Sequence, residues 1–219
     1  MKLLMVRHGE TGWNLEGRYQ GRLESELSPR GAAQARALAK RLQRESIKAI
    51  VSSPLVRAKD TAQACADELK LPVAIDGRLT EIGHGAWEGK RIREVERRWP
   101  EMLRAWREAP QSVRFPGGES LADVAERVGS FFDEAKRSQA AASRSTRFGN
   151  VTLCVTHDAV IRIAVLAIRA EPLSAFQRFR IENAALTEFD VSEDRVSLVA
   201  LNENEYLGSL RGDAATQAL

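Results

Sequence analysis

Residues 1–14 read MKLLMVRHGETGWN. Leu3-Leu4-Met5-Val6 is a short apolar run closed by charge, the pattern of a strand buried on both faces. Arg7 and His8 stand where that strand gives way to a loop. In open α/β sheets, ligands bind just beyond the carboxyl ends of the strands. An arginine there is a permanent cation that forks onto phosphate oxygens, and an imidazole can attack phosphorus. Taken alone, the pair fits a solvated loop equally well, so the rest of the chain decides.

Outward from this run, short apolar strands alternate with helices. The strand candidates are Leu3–Arg7, Ala49–Ser52, Val73–Ile75, Val151–Thr156, Ala185–Val191 and Val196–Leu201. Ser28 is placed to cap a helix with Pro29 at its first position, followed by Ala32, Ala35, Leu38, Ala39 and Leu42 on one stripe. Ser53-Pro54 repeats that device before Leu55–Leu69. Ser120 and Asp123 form a capping-box-like start for a helix to about Lys136. The alternation predicts an α/β fold, a mainly parallel sheet flanked by helices on both faces.

The block Lys90–Glu108, KRIREVERRWPEMLRAWRE, breaks the pattern. Its charges surround Trp99 and Trp106 and are interrupted by Pro100, which predicts two short helices in a small cap over about 88–118. Solvated helices docked by tryptophan and a substrate-facing cap both fit this block. Residues 1–219 read as a single domain. Gln139–Asn150 reads as an exposed connection and Gly208–Leu219 as a frayed tail.

With 43% hydrophobic and 29% charged residues in 219, the chain can bury a core without staples. A net charge of +3, from 33 basic and 30 acidic residues, gives little drive toward nucleic acid. No apolar run approaches a membrane span, and the N-terminal run turns polar too early for a secretory signal. A cytoplasmic protein with no membrane contact is expected. Cys65 and Cys154 lack metal or redox spacing and read as free buried thiols. A homodimer through the terminal strands is compatible with the sequence and not required by it.

Three further segments join the opening one. SSPLVRAKDTA (52–62) puts Arg57 in the first turn of a helix, where a cation opposes the helix dipole unless an anion shares the position. LTEIGHGAWEG (79–89) follows the third strand, and HDAVIR (157–162) follows the fourth. Two histidines and two arginines at strand ends can converge on one crevice. His8, His84 and His157 lack the local spacing of a metal site, so no metal is expected.

With FPGGES at 115–120, these segments resemble the histidine phosphatase superfamily, also called the phosphoglycerate-mutase-like family, from residue 3 to about residue 170. The resemblance implies a phosphomonoesterase working through a phosphohistidine intermediate on a small-molecule phosphate ester, without a cofactor. His8 would be the nucleophile. Arg7, Arg57 and a protonated His157 would clamp the phosphoryl oxygens, with Asn14 as a further donor. Glu81 would be the general acid and then the base. Gln20 and Gly21 would line the substrate entrance. The 81–89 string, the Trp-Pro cap and FPGGES are similar to those of metal-independent bacterial phosphoserine phosphatases. On that likeness His84, with an arginine from the cap, would face a substrate carboxylate. Asp158-Ala159 stands where many relatives have Gly-Gly or Gly-Asn. Asp158 is therefore a substrate-site candidate expected to turn away from phosphate or to cap the helix beginning near Ala159. The short cap and GGES imply a hydrolase. The alternatives are a cofactor-dependent phosphoglycerate mutase and a catalytically weak phospho-ligand-binding module on the same fold.

Overall fold

The opening apolar run is strand β1 (Lys2–Arg7) in the computed structural model, which describes residues 1–140, 147–212 and 217. With β2 (Ala49–Ser52), β3 (Val73–Ile75), β4 (Val151–Thr156), β5 (Leu186–Val191) and β6 (Val196–Glu203) it forms one sheet, ordered β3-β2-β4-β1-β5-β6. The pairs β2/β3, β2/β4 and β1/β4 are parallel, whereas β5 pairs antiparallel with both β1 and β6. The sheet is mostly parallel, as expected, with an antiparallel hairpin added at one side.

The helices are α1 (Gly12–Leu15), α2 (Pro29–Leu42), α3 (Val56–Leu69), α4 (Ile92–Arg98), α5 (Pro100–Glu108), α6 (Leu121–Ala140) and α7 (Asp158–Ile168). Side chains alternate across a strand, and β1 shows what that does here. Leu4 and Val6 join Leu38 and Leu42 of α2 and Ala58 and Ala62 of α3 in one core. Leu3 and Met5 join Phe131 of α6 and Val160 of α7 in the other. Each such side chain, fully buried, stabilises the fold by about 1.5–3 kcal/mol. The central strand is thereby fixed between two helical layers.

The two Ser-Pro starts diverge. Ser28 Oγ accepts from Gly31 N at 3.0 Å, with Pro29 opening α2 as predicted. Helix α3 begins later than predicted, at Val56, and its N-cap Leu55 offers no side-chain bond. Ser53 Oγ instead lies 2.8 Å from His157 Nε2, and the Val56 amide donates to Glu24 Oε2 at 2.8 Å. Helix α6 runs past Lys136 to Ala140. Of the expected connection Gln139–Asn150, residues 141–146 lie outside the described residues.

Pro100 separates α4 from α5, as predicted, and Val95, Leu103 and Trp106 dock this pair on the core. The tail differs from expectation where it is described. A 3₁₀ segment, Glu205–Leu210, packs beside α2, where Gln34 Nε2 donates to the Leu210 carbonyl at 2.8 Å, and Gln217 is buried. Residues 213–216 and 218–219 of the predicted tail lie outside the described residues. Cys65 and Cys154 are free and buried. No described helix is long and apolar enough to cross a membrane.

Candidate active site

The parallel β1/β4 register pairs Arg7 with Thr156, so the next residues of both strands emerge side by side. The His8 amide donates to the Thr156 carbonyl at 2.9 Å, and the His8 and His157 rings stand 5.1 Å apart. From the first turn of α3, Arg57 Nε reaches His8 Nε2 at 3.3 Å. The same guanidinium donates to the carbonyls of Gly21 (2.8 Å) and Leu23 (3.0 Å), which ties the 20–23 loop to the site. Gly21 sits at φ +53°, which favours glycine, and a Cβ there would lie 2.2 Å from Glu88 Oε1, so any other residue would have to displace Glu88. Glu88 Oε1 also accepts from the amides of Arg22 (3.0 Å) and His84 (2.9 Å). One carboxylate thus clamps the entrance loop to the loop that carries His84.

Hydrogen bonding fixes the His8 tautomer. His8 Nδ1 lies 2.7 Å from the Gly9 carbonyl, an acceptor only, so Nδ1 carries the proton. The lone pair is left on Nε2, where Arg57 points. Burial first, then the charges of Arg57 and Arg7, hold the His8 pKa well below 6.5, so the ring is neutral. Glu81 lines the same pocket with Oε1 accepting from the Ile82 amide at 2.9 Å. Burial, reinforced by Asp158, raises the Glu81 carboxyl above its usual 4.5 despite that bond and the two arginines. The arrangement therefore joins an unprotonated imidazole nitrogen and a carboxyl of raised proton affinity within one arginine-lined pocket.

His157 departs from the protonated state expected of it. Burial, followed by Arg57, holds its pKa well below 6.5 as well, so among the protein's own charges it is neutral. Arg7 donates through Nη1 to the Ile181 carbonyl at 2.6 Å and through Nη2 to Gln217 Oε1 at 2.5 Å. Asn14 Nδ2 donates to that same Gln217 oxygen at 3.0 Å. Arg7 and Asn14 are thus aimed at one acceptor position. Asn14 gets there through the capping box that opens α1 with Thr11.

The remaining wall explains FPGGES. A Cβ on Gly118 would lie 2.2 Å from the Gly83 carbonyl, and the Glu119 amide donates to that carbonyl at 2.8 Å. This close approach sets the loop carrying His84 against α6. His84 is 4% exposed, lines the pocket and has neither ring nitrogen hydrogen-bonded. It packs among Tyr19, Trp106 and Phe115, and burial lowers its pKa to about 3. From the cap, Trp106 lines the pocket, and no cap arginine does among the described residues. Gln20 also lines the pocket.

Asp158 does not cap the helix, whose N-cap is His157. It is the first residue of α7 and lines the pocket, with Oδ2 held by Arg162 Nη1 at 2.9 Å and Oδ1 by the Ile181 amide at 3.0 Å. Among the described residues, no group of three His, Cys, Asp or Glu side chains is placed to hold a metal ion.

Three participants escaped the sequence reading. Asn183 Nδ2 donates to the His8 carbonyl at 3.1 Å, and Gln217 Nε2 donates to Asn183 Oδ1 at 2.8 Å. Glu88 was quoted only as part of a motif. Its signal was an acidic side chain between Trp87 and Gly89, whereas isolated amides such as Asn183 and Gln217 carry no signal of their own.

A profile of the histidine phosphatase superfamily (branch 1) matches residues 3–204. The chain belongs to the histidine phosphatase superfamily. Phosphoserine phosphatase 1 of Hydrogenobacter thermophilus is 38% identical over 214 residues, covering 98% of each chain. A probable phosphoglycerate mutase of Salmonella choleraesuis is 32% identical over 198 residues, 89% of this chain and 87% of that one. Among solved structures, a mycobacterial glucosyl-3-phosphoglycerate phosphatase superposes with a TM-score of 0.79 at 31% identity, covering 93% of this chain and 99% of that one. The chain shares the fold of this superfamily and is a phosphomonoesterase, and a phosphohistidine intermediate is typical of the family.

Proposed function

We propose that the physiological substrate is a phosphorylated amino acid or hydroxy acid of phosphoserine type, with His8, Glu81, Arg7, Arg57 and His157 carrying the chemistry. The observation that supports this reading most directly is the fixed His8 tautomer, with Nε2 free of a proton in the pocket where burial raises the Glu81 carboxyl. In the first step His8 Nε2 forms a bond to phosphorus as the bond to the ester oxygen breaks, and Glu81 gives that oxygen its proton. Glu81, now a carboxylate, takes a proton from water. The resulting hydroxide displaces His8 from phosphorus, releasing inorganic phosphate and restoring both groups.

Arg7, Arg57 and Asn14 supply fixed donors to a phosphoryl group whose transition state spreads charge over its oxygens. Burial and then Arg57 keep His157 neutral, and a phosphate dianion opposes them, so His157 gains its proton with substrate and becomes a third cationic donor. His84 is the carboxylate reader in this account. It acts as a neutral imidazole through one N–H, and its walls of Tyr19 and Phe115 keep water from competing. The 38% identity to a phosphoserine phosphatase over 98% of each chain supports the same substrate class.

The test is a panel of phosphomonoesters in excess EDTA, ranked by kcat/KM and including phosphoserine, 3-phosphoglycerate, sugar phosphates and p-nitrophenyl phosphate. The expected result is preference for the carboxylate-bearing esters and release of inorganic phosphate without a metal. Transfer between the 2- and 3-positions of phosphoglycerate in place of release would identify a mutase. Loss of activity in EDTA, restored by metal, would overturn the metal-free mechanism.

A further inference from the structure

Asp158 is the pocket residue whose chemistry the reaction steps leave unused. It directly follows His157, is 2% exposed, and shares the pocket lining with His8, Glu81 and His84. Burial alone would raise its carboxyl, but Arg162 and Arg7 hold it below the usual 3.8, so it is ionised. Each carboxylate oxygen takes one hydrogen bond, from Arg162 Nη1 and from the Ile181 amide. Each therefore keeps acceptor capacity. Arg162 is itself pinned, with its guanidinium 3.6 Å from the centre of the Phe176 ring and a bond to Gln177 Oε1 at 3.1 Å. The carboxylate is fixed in place.

A fixed anion in a phosphate pocket repels a substrate that is anionic throughout. It attracts one that carries a cation beside the phosphate. Burial raises the Glu81 carboxyl above its usual 4.5, whereas Arg162 and Arg7 lower that of Asp158, so Asp158 is the stronger partner for that cation. We propose that Asp158 is a specificity residue that accepts a hydrogen bond from a substrate ammonium group, so that the site selects amino-bearing phosphate monoesters over their hydroxyl counterparts. This rests on the proposed substrate class and assigns the amine its receptor.

Two substrate pairs isolate the amine. Phosphoserine and 3-phosphoglycerate differ by an ammonium in place of a hydroxyl, and phosphoethanolamine differs from ethyl phosphate by an added ammonium. A charge-assisted hydrogen bond predicts kcat/KM about tenfold or more higher for the amino member of each pair. In Asp158→Asn both ratios fall toward one. Because that change leaves Arg162 buried without its partner, Asp158→Asn combined with Arg162→Met repeats the measurement with the local charge removed. Ratios near one in the unmodified enzyme, or ratios that survive both variants, overturn the assignment. The preference for 3-phosphoglycerate over ethyl phosphate reads the carboxylate separately. If it is absent while phosphoethanolamine still exceeds ethyl phosphate, the phosphoserine reading fails and the role of Asp158 stands.

Discussion

At the scale of single residues, the site depends on which groups carry protons. His8 cannot attack once protonated, and Glu81 cannot assist departure once ionised. Since burial and the arginines lower the first pKa and burial raises the second, kcat/KM for an alkyl phosphate falls at low pH as His8 gains a proton and at high pH as Glu81 loses one. Glu81→Gln therefore removes the alkaline limb of the pH–rate profile and leaves the acid limb. It should lower kcat/KM, which reads phosphoryl transfer to His8, by about 10²–10⁴-fold for alkyl phosphates and far less for p-nitrophenyl phosphate, since nitrophenolate leaves without a proton. Equal slowing of both substrates would contradict the acid role. His84→Phe keeps the aromatic packing and loses the N–H donor. Its expected effect is a raised KM for phosphoserine with little change for p-nitrophenyl phosphate.

The residues legible in the sequence at this scale are those at strand ends and in motifs, namely Arg7, His8, Arg57, Glu81 and His157. Their protonation was not legible, because it depends on burial and on which charges converge. His157 shows this, since burial and then Arg57 lower its pKa until a bound anion offsets them. Asp158 shows it too, for its fate is decided by Arg162 and by the Ile181 amide 23 residues away.

At the scale of elements, the two Ser-Pro pairs carry the lesson. The same Ser-Pro pair caps α2 at Ser28, but at Ser53 the hydroxyl meets His157 and accepts from the Leu55 amide in a turn before α3. Ser28→Ala should cost about 1 kcal/mol, read as a lowered denaturation midpoint, with catalysis little changed. Gly21→Ala combines a left-handed backbone with a clash against Glu88, which holds the entrance loop. A cost of about 1–3 kcal/mol follows, and unlike Ser28→Ala it should also raise KM, because Gly21 is tied to Arg57. The cap helices were legible from Pro100, but which of their side chains faces the pocket was not. The family likeness implied an arginine, whereas packing delivers Trp106.

At the scale of the whole molecule, alternating strands and helices made the layered α/β architecture readable. Strand order was not, because it arises from pairing between segments distant in the chain. The β1/β4 pairing brings together residues about 150 apart and is what sets His8 beside His157. The C-terminal region likewise returns to the site through Gln217, 210 residues from Arg7, in a stretch whose composition suggested only fraying. The account as a whole stands on one covalent event at this junction. Rapid quenching of enzyme mixed with ³²P-labelled phosphoserine should trap about one label per active site, acid-labile and base-stable, on the peptide containing His8, and none in His8→Ala. Label absent from that peptide, or turnover undiminished in His8→Ala, would contradict it.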